Sequence, residues 1–162
     1  MIVNVGIGEC KLSQDPQVIL TVSNLGSCLG IAAFDPIRKS GGIVHCLLPS
    51  SSIDSEEAHQ GPATYVDTGF SLLLMGLVKA GASIPDLLIS VAGGARINST
   101  LRRFQMGQRN LIALNKELQE KNIALHSHNI GGDSPCSMYL SIESGQVRIK
   151  TTTSSGTLSD ER

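Results

Sequence analysis

The sequence predicts a layered domain of mixed α and β structure, with its sheet faces covered by two long helices. Two observations carry this. Short apolar or β-branched runs bounded by Gly, Pro, Asn and Ser clusters recur along the chain, and two longer segments switch to a helical period. Strands outnumber helices and the two types interleave, the pattern of sheets that bury a face under helices.

Residues 1–8 alternate weakly as a first strand, and residues 17–22 and 29–34 form two further strand-like runs. Asp35-Pro36 and Ser40-Gly41-Gly42 punctuate a turn, after which residues 43–48 make a strand closed by Pro49. Residues 50–62 are polar and read as a mobile loop. From Ala63 the period changes: Val66, Phe70, Leu73, Leu74, Leu77 and Val78 fall at helical spacing, and Gly81 stands where a C-terminal cap belongs. Residues 87–92 are a continuous apolar run, hence a buried strand, ending in Gly93-Gly94. A second helix spans about residues 107–121, with Leu111, Leu114 and Leu118 inward and Asn122 as its stop. Strands over residues 123–129, 137–142 and 146–151 follow, the last two joined through Glu143-Ser144-Gly145. Residues 1–151 make one domain, and the Ser/Thr-rich residues 152–162 read as a flexible tail.

With 162 residues, 41% apolar and 17% charged, the chain is long enough to bury a core and is globular in composition. Aromatics are only 3% and Trp is absent, so Leu, Ile, Val and Ala must fill that core. A net charge of -1 and the lack of a basic run argue against nucleic acid and against an anionic membrane surface. No apolar stretch reaches transmembrane length and no signal-peptide pattern opens the chain, so a cytoplasmic protein is expected. Cys10, Cys28, Cys46 and Cys136 are widely spaced with no CxxC pair, which favours free thiols.

Two residues carry candidate chemistry. Leu25-Gly26-Ser27-Cys28 sets a cysteine just after a glycine-containing turn, and Val44-His45-Cys46 sets a histidine inside an apolar strand. If residues 35–40 are the hairpin loop and Phe34 faces Gly41, then Cys28 lies opposite Leu47. His45 is then on the same face and diagonal to Cys28, about 7–8 Å away, within reach of long side chains. A slip of one residue would put the two on opposite faces. An imidazole beside a thiol of ordinary pKa near ~8.5 can take its proton, and the thiolate can attack a carboxamide or ester carbonyl. Backbone N–H groups around Gly26 and Cys28 are candidates to hold the oxyanion. The residues leave a second reading open, a buried structural cysteine beside a hydrogen-bonded core histidine. Cys46 must point to the opposite face and belongs to the core.

In this order and spacing the chain resembles the CheD family of chemoreceptor glutamine deamidases, from about residue 5 to residue 151. The marks are Gly6-Ile7-Gly8-Glu9, Leu25-Gly26-Ser27-Cys28, the stretch from Gly42 to Pro49 around His45, and Tyr65-Val66-Asp67-Thr68. Ala92-Gly93-Gly94-Ala95, Met106-Gly107-Gln108-Arg109-Asn110 and Gly131-Gly132 complete them. The resemblance implies an α+β fold, a layered α/β/β/α sandwich of mixed sheets with two long outer helices, similar to the cysteine-hydrolase deamidase toxins. It implies Cys28 as nucleophile, His45 as general base, a thioester intermediate and release of ammonia, with no cofactor. A Thr that orients the His is also implied. Here the segment Thr21-Val22-Ser23-Asn24-Leu25 is one residue longer than the common pattern, so Thr21 is favoured and Ser23 is the alternative.

The implied partners are the cytoplasmic domain of a chemoreceptor and a CheC-type phosphatase, for which a binding module with little catalysis is the alternative function. Arg96-Ile97 and the segment after Gly131-Gly132, ending in Cys136, depart from the family pattern. His126 and His128 share one strand face without a clear third metal ligand, and Gly93-Gly94 lacks a Walker lysine, so a tight turn is expected there. Asp67 is expected at a helix start and Arg109 and Asn110 as structural bridges. A redox or metal sensor built on the four thiols is the weakest alternative.

Overall fold

The computed structural model describes residues 1–96, 105–152 and 158–161. Its strands are β1 (Ile2–Asn4), β2 (Cys10–Ser13), β3 (Ile19–Leu25), β4 (Leu29–Asp35), β5 (Ser40–Cys46), β6 (Leu88–Gly93), β7 (Ser127–Ile130), β8 (Cys136–Ser141), β9 (Val147–Thr152) and β10 (Leu158–Glu161). They form two five-stranded sheets, β1-β3-β8-β9-β10 and β2-β5-β4-β6-β7. Each is mixed: β1 runs parallel to β3 and β6 parallel to β7, and the remaining neighbours are antiparallel.

The hairpin of β4 and β5 is the centre of its sheet. Phe34 pairs with Gly41 and Leu29 with Cys46, the register expected from the turn residues. Asp35 makes that turn. It is fully buried, and its carboxylate accepts the N–H groups of Ile37 (2.9 Å) and Arg38 (3.2 Å) and pairs with the Arg38 guanidinium at 3.3 Å. Pro36 supplies the fixed φ that a turn wants in its second position. Every residue of β4 and β5 is buried, so both faces of the hairpin are covered.

One face lies under helices. In α2 (Val66–Lys79) Val66, Phe70, Leu73, Leu74 and Leu77 pack on Leu29, Ile31, Val44 and Cys46. Val78, expected on that face, is 43% exposed instead. Gly81, at φ 101°, ends the helix, and the Ala82 N–H closes back onto the Leu77 carbonyl. In α3 (Met106–Glu120) Leu114 and Leu118 join the same core, with Leu111 at its margin. The other face of the hairpin packs against the second sheet, where Ala32, Phe34 and Ile43 meet Leu20, Val22, Met138 and Leu140.

The mixed α+β class and the face-to-face sheets are as expected, but the placement of the helices is not. Both long helices lie on one sheet, giving layers α/β/β. On β8 the inward Cys136, Met138 and Leu140 alternate with the half-buried Ser137, Tyr139 and Ser141, so the outer face of that sheet has no apolar stripe for a helix to cover. Residues 50–62, read as a mobile loop, carry a short helix, α1 (Ser55–Gln60), whose first turn is capped by the Asp54 side chain on the Glu57 N–H. Leu158–Glu161, read as part of a flexible tail, pairs antiparallel with β9.

Asp35→Ala removes a buried acceptor and leaves two backbone N–H groups without it. Unfolding free energy should fall by about 1–3 kcal/mol in urea titrations, with the denaturant slope unchanged.

Candidate active site

Cys28 sits one residue before β4, at the end of a turn held by its carbonyls. The Gly26 carbonyl accepts the Ala95 N–H (2.9 Å), the Ser27 carbonyl accepts Asn110 Nδ2 (2.9 Å), and the Cys28 carbonyl accepts the Gly94 N–H (3.0 Å). Gly93 allows the last of these. A Cβ there would stand 2.1 Å from the Cys28 carbonyl oxygen, and its φ of 105° is one that side-chain-bearing residues avoid. The expected tight turn at Gly93-Gly94 is therefore part of the cysteine's support.

His45 lies on β5 directly opposite Gly30. Cys28 is two residues before Gly30, so its side chain shares the His45 face, and it belongs to the core between the sheets. Cys46, with the other parity, belongs to the core under the helices. His45 is 4% exposed and Cys28 8%. The main chain of His45 is gripped by the turn ahead of β2, its N–H donating to the Glu9 carbonyl (3.0 Å) and its carbonyl accepting the Gly8 N–H (2.9 Å).

The ring is oriented by a carbonyl. His45 Nδ1 lies 3.4 Å from the Val5 carbonyl oxygen, and Nε2 has no hydrogen-bond partner among the described residues. A carbonyl only accepts, so the proton of the neutral ring belongs on Nδ1 and Nε2 presents its lone pair. The Val5–Gly6 peptide is itself held from the other side, where the Gly6 N–H donates to the Glu9 carboxylate at 2.8 Å. That hydrogen bond and the neighbouring Lys11 hold the Glu9 carboxyl below its usual range. Burial lowers the His45 pKa against the opposing pull of the Val5 carbonyl, and burial raises that of Cys28 against its own backbone N–H. The resting pair is accordingly a neutral thiol and a neutral imidazole.

Thr21 does not join this pair through its hydroxyl. Thr21 pairs with Tyr139, whereas Leu20 and Val22 pair with the inward Leu140 and Met138. Strand parity thus turns Thr21 to the outer face of its sheet, where its hydroxyl, though buried, has no partner among the described residues. Its main chain does connect, because the Thr21 carbonyl accepts the Val5 N–H at 2.8 Å. Ser23 is exposed. The additional residue expected in this segment is a β-bulge: three steps from Val22 to Leu25 oppose two from Met138 to Cys136, with Asn24 at φ 59°. Next to the His45 ring nitrogen stands the Val5 carbonyl, a backbone group that residue types cannot reveal.

Asn110 is fully buried and holds two carbonyls, Ser27 (2.9 Å) and Leu47 (3.1 Å), so the expected structural bridge lies at the site itself. Asp67, in the first turn of α2, accepts the Ser51 N–H (3.0 Å) and hydroxyl (2.8 Å), tying residues 50–62 to the helix. Ser127, between the two histidines, pairs with Ser90 at 2.7 Å between hydroxyls. Among the described residues no three His, Cys, Asp or Glu side chains converge to hold a metal ion. All four cysteines are free thiols. Ile97 lies outside the described residues. Among the described residues no helix is long and apolar enough to cross a membrane.

A cysteine and a histidine on one buried sheet face, beside tethered backbone amides, is an arrangement used in thiol-dependent acyl transfer. The family model for CheD chemotactic sensory transduction matches residues 47–151, beginning just past His45. A relative named probable chemoreceptor glutamine deamidase CheD 2, from Anaeromyxobacter dehalogenans, is 33% identical over 150 residues, covering 93% of this chain and 94% of the relative. A probable chemoreceptor glutamine deamidase CheD from Pyrococcus horikoshii is 36% identical over 154 residues, covering 93% of each. The chain belongs to the CheD family. Among solved structures, the hypothetical protein YfiH of Bacillus licheniformis matches with a TM-score of 0.46 and 14% identity, over 82% of this chain and 59% of that one.

Because burial disfavours the imidazolium, His45 should lose its proton at lower pH than a free histidine. In an NMR titration its ring should show a midpoint below 6.5. The unfolded chain takes up that proton first on acidification, so stability should decline as pH falls below about 6.5.

Proposed function

We propose that this protein hydrolyses side-chain amides of glutamines on the cytoplasmic domain of chemoreceptors, with Cys28 as nucleophile and His45 as general base. The observation that carries the reading is the shared face of Cys28 and His45 in the layer between the sheets, in a chain whose relatives bear the deamidase name.

As the Cys28 sulfur attacks the carboxamide carbon, His45 Nε2 takes the thiol proton. A C–S bond forms and the carbonyl π pair moves to oxygen. The imidazolium then gives its proton to the leaving nitrogen, the C–N bond breaks, and ammonia departs to leave a thioester. Water attacks that carbonyl as Nε2 takes its proton. Collapse breaks the C–S bond, yielding glutamate and restoring the thiol. Nδ1 stays protonated throughout, held by Val5, so Nε2 alone exchanges protons. A methyl ester presents the same carbonyl with a better leaving group, so glutamyl methyl esters are within reach of this chemistry. No step calls for a cofactor. A cytoplasmic location follows from the substrate, and a CheC-type phosphatase as second partner rests on the family resemblance.

The test is incubation with a receptor cytoplasmic fragment and peptide mass analysis. Wild type should convert specific amides to acids, whereas Cys28→Ala and His45→Ala should not. Equal conversion by Cys28→Ala would overturn the reading. Thr21→Val, whose side chain faces away, should retain wild-type turnover.

A further inference from the structure

We propose that Asn110 is a positioning residue for catalysis, aiming the Cys28 backbone N–H at the oxyanion of the tetrahedral intermediate. This rests on the deamidase reading above and deepens it.

All peptide bonds in the described chain are trans. In a trans peptide the C=O and the following N–H point in opposite directions. Fixing the Ser27 carbonyl therefore fixes the Cys28 N–H. Asn110 Nδ2 donates to that carbonyl at 2.9 Å from the α3 side, so the Cys28 N–H projects away from α3. It emerges against the Cys28 thiol, where it opposes the rise in thiol pKa caused by burial. An N–H on the nucleophile's own residue, pointing to where the sulfur attacks, stands beside the oxygen that gains charge.

The carbonyls on either side of Ser27 are held by main-chain groups, the Ala95 and Gly94 N–H groups. The Ser27 carbonyl is the one tied by a side chain. Asn110 also donates to the Leu47 carbonyl at 3.1 Å, two residues beyond His45. One amide thus references the nucleophile's turn to the strand that carries the base. Its own Oδ1 is buried without a partner among the described residues, where the side chain is held by its donors. An unsatisfied buried acceptor is unfavourable, so what the amide contributes here is its two donated hydrogen bonds. α3 comes close enough because Gly107 lies against the Gly94-Ala95 backbone, where a Cβ would meet the Ala95 carbonyl at 2.5 Å.

The test compares two reactions of the same thiol. Alkylation by iodoacetamide needs the sulfur but no oxyanion site, whereas deamidation needs both. In Asn110→Ala and Asn110→Asp, kcat on the receptor fragment should fall on the order of 10²-fold, the usual effect of losing one such donor, with KM little changed. The Cys28 alkylation rate and its pH profile should stay as in wild type. A parallel fall in both reactions would mean that Asn110 only supports the fold, and an unchanged kcat would also overturn the proposal. If neither variant folds, wild type decides. Binding a glutamine-derived peptide aldehyde forms a hemithioacetal on Cys28, and the Cys28 amide proton should move downfield by NMR. An unmoved resonance would refute the role. Lack of turnover by wild type would instead count against the deamidase reading itself.

Discussion

Everything at the site depends on the register of one hairpin. Because side chains alternate faces, the pairing of Phe34 with Gly41 is what places Cys28 and His45 together in the layer between the sheets. Asp35 sets that register at the turn, where a buried carboxylate replaces the backbone partners that Ile37 and Arg38 would otherwise lack. Burial alone would raise its pKa, but those N–H groups and Arg38 hold it below the ordinary carboxylate range. The two covered faces add a second lock. With β4 in place, a slip of β5 by one residue would push Val44 out of the helix-side core and drive His45 into it, away from Cys28.

Placing a thiol and an imidazole in an apolar layer has an electrostatic consequence. Each is driven toward its neutral form, so the pair does not rest as a thiolate and imidazolium. Charge developing on such a pair would draw its stabilisation from fixed dipoles. Two peptide planes supply them. Glu9 and His45 hold the Val5–Gly6 plane from its two edges, and Asn110 holds the Ser27–Cys28 plane from its carbonyl edge. Neither peptide depends on the identity of the residue that contributes it, although each depends on the side chains that pin it.

That distinction accounts for what was legible in the sequence. Asp35-Pro36 and Gly41-Gly42 are turn chemistry, so the register, and with it the shared face of Cys28 and His45, follows from the sequence on the condition that residues 35–40 form the hairpin loop, as they do. The helical faces of α2 and α3 were legible from their period. The bulge at Ser23-Asn24, which shifts parity between Thr21 and Cys28, leaves no mark in residue type. The side of the sandwich that takes both helices is a tertiary choice, visible only as the polar alternation of β8. β2 was missed because its four residues are half exposed at a sheet edge and make no apolar run. Asn110 was legible as a bridge but not as part of the site, since its partners are 83 and 63 residues away in the chain.

The strand lengths carry a further consequence. The four strands that border the two sheets, β1, β2, β7 and β10, have 3, 4, 4 and 4 residues, whereas the interior ones have 6 or 7. A sheet edge is open backbone that a stray chain can extend, and short edges leave little to build on. Leu158–Glu161 shortens one such edge further by covering the six-residue β9. The fold is thereby guarded against being joined to other polypeptides as one continuous sheet.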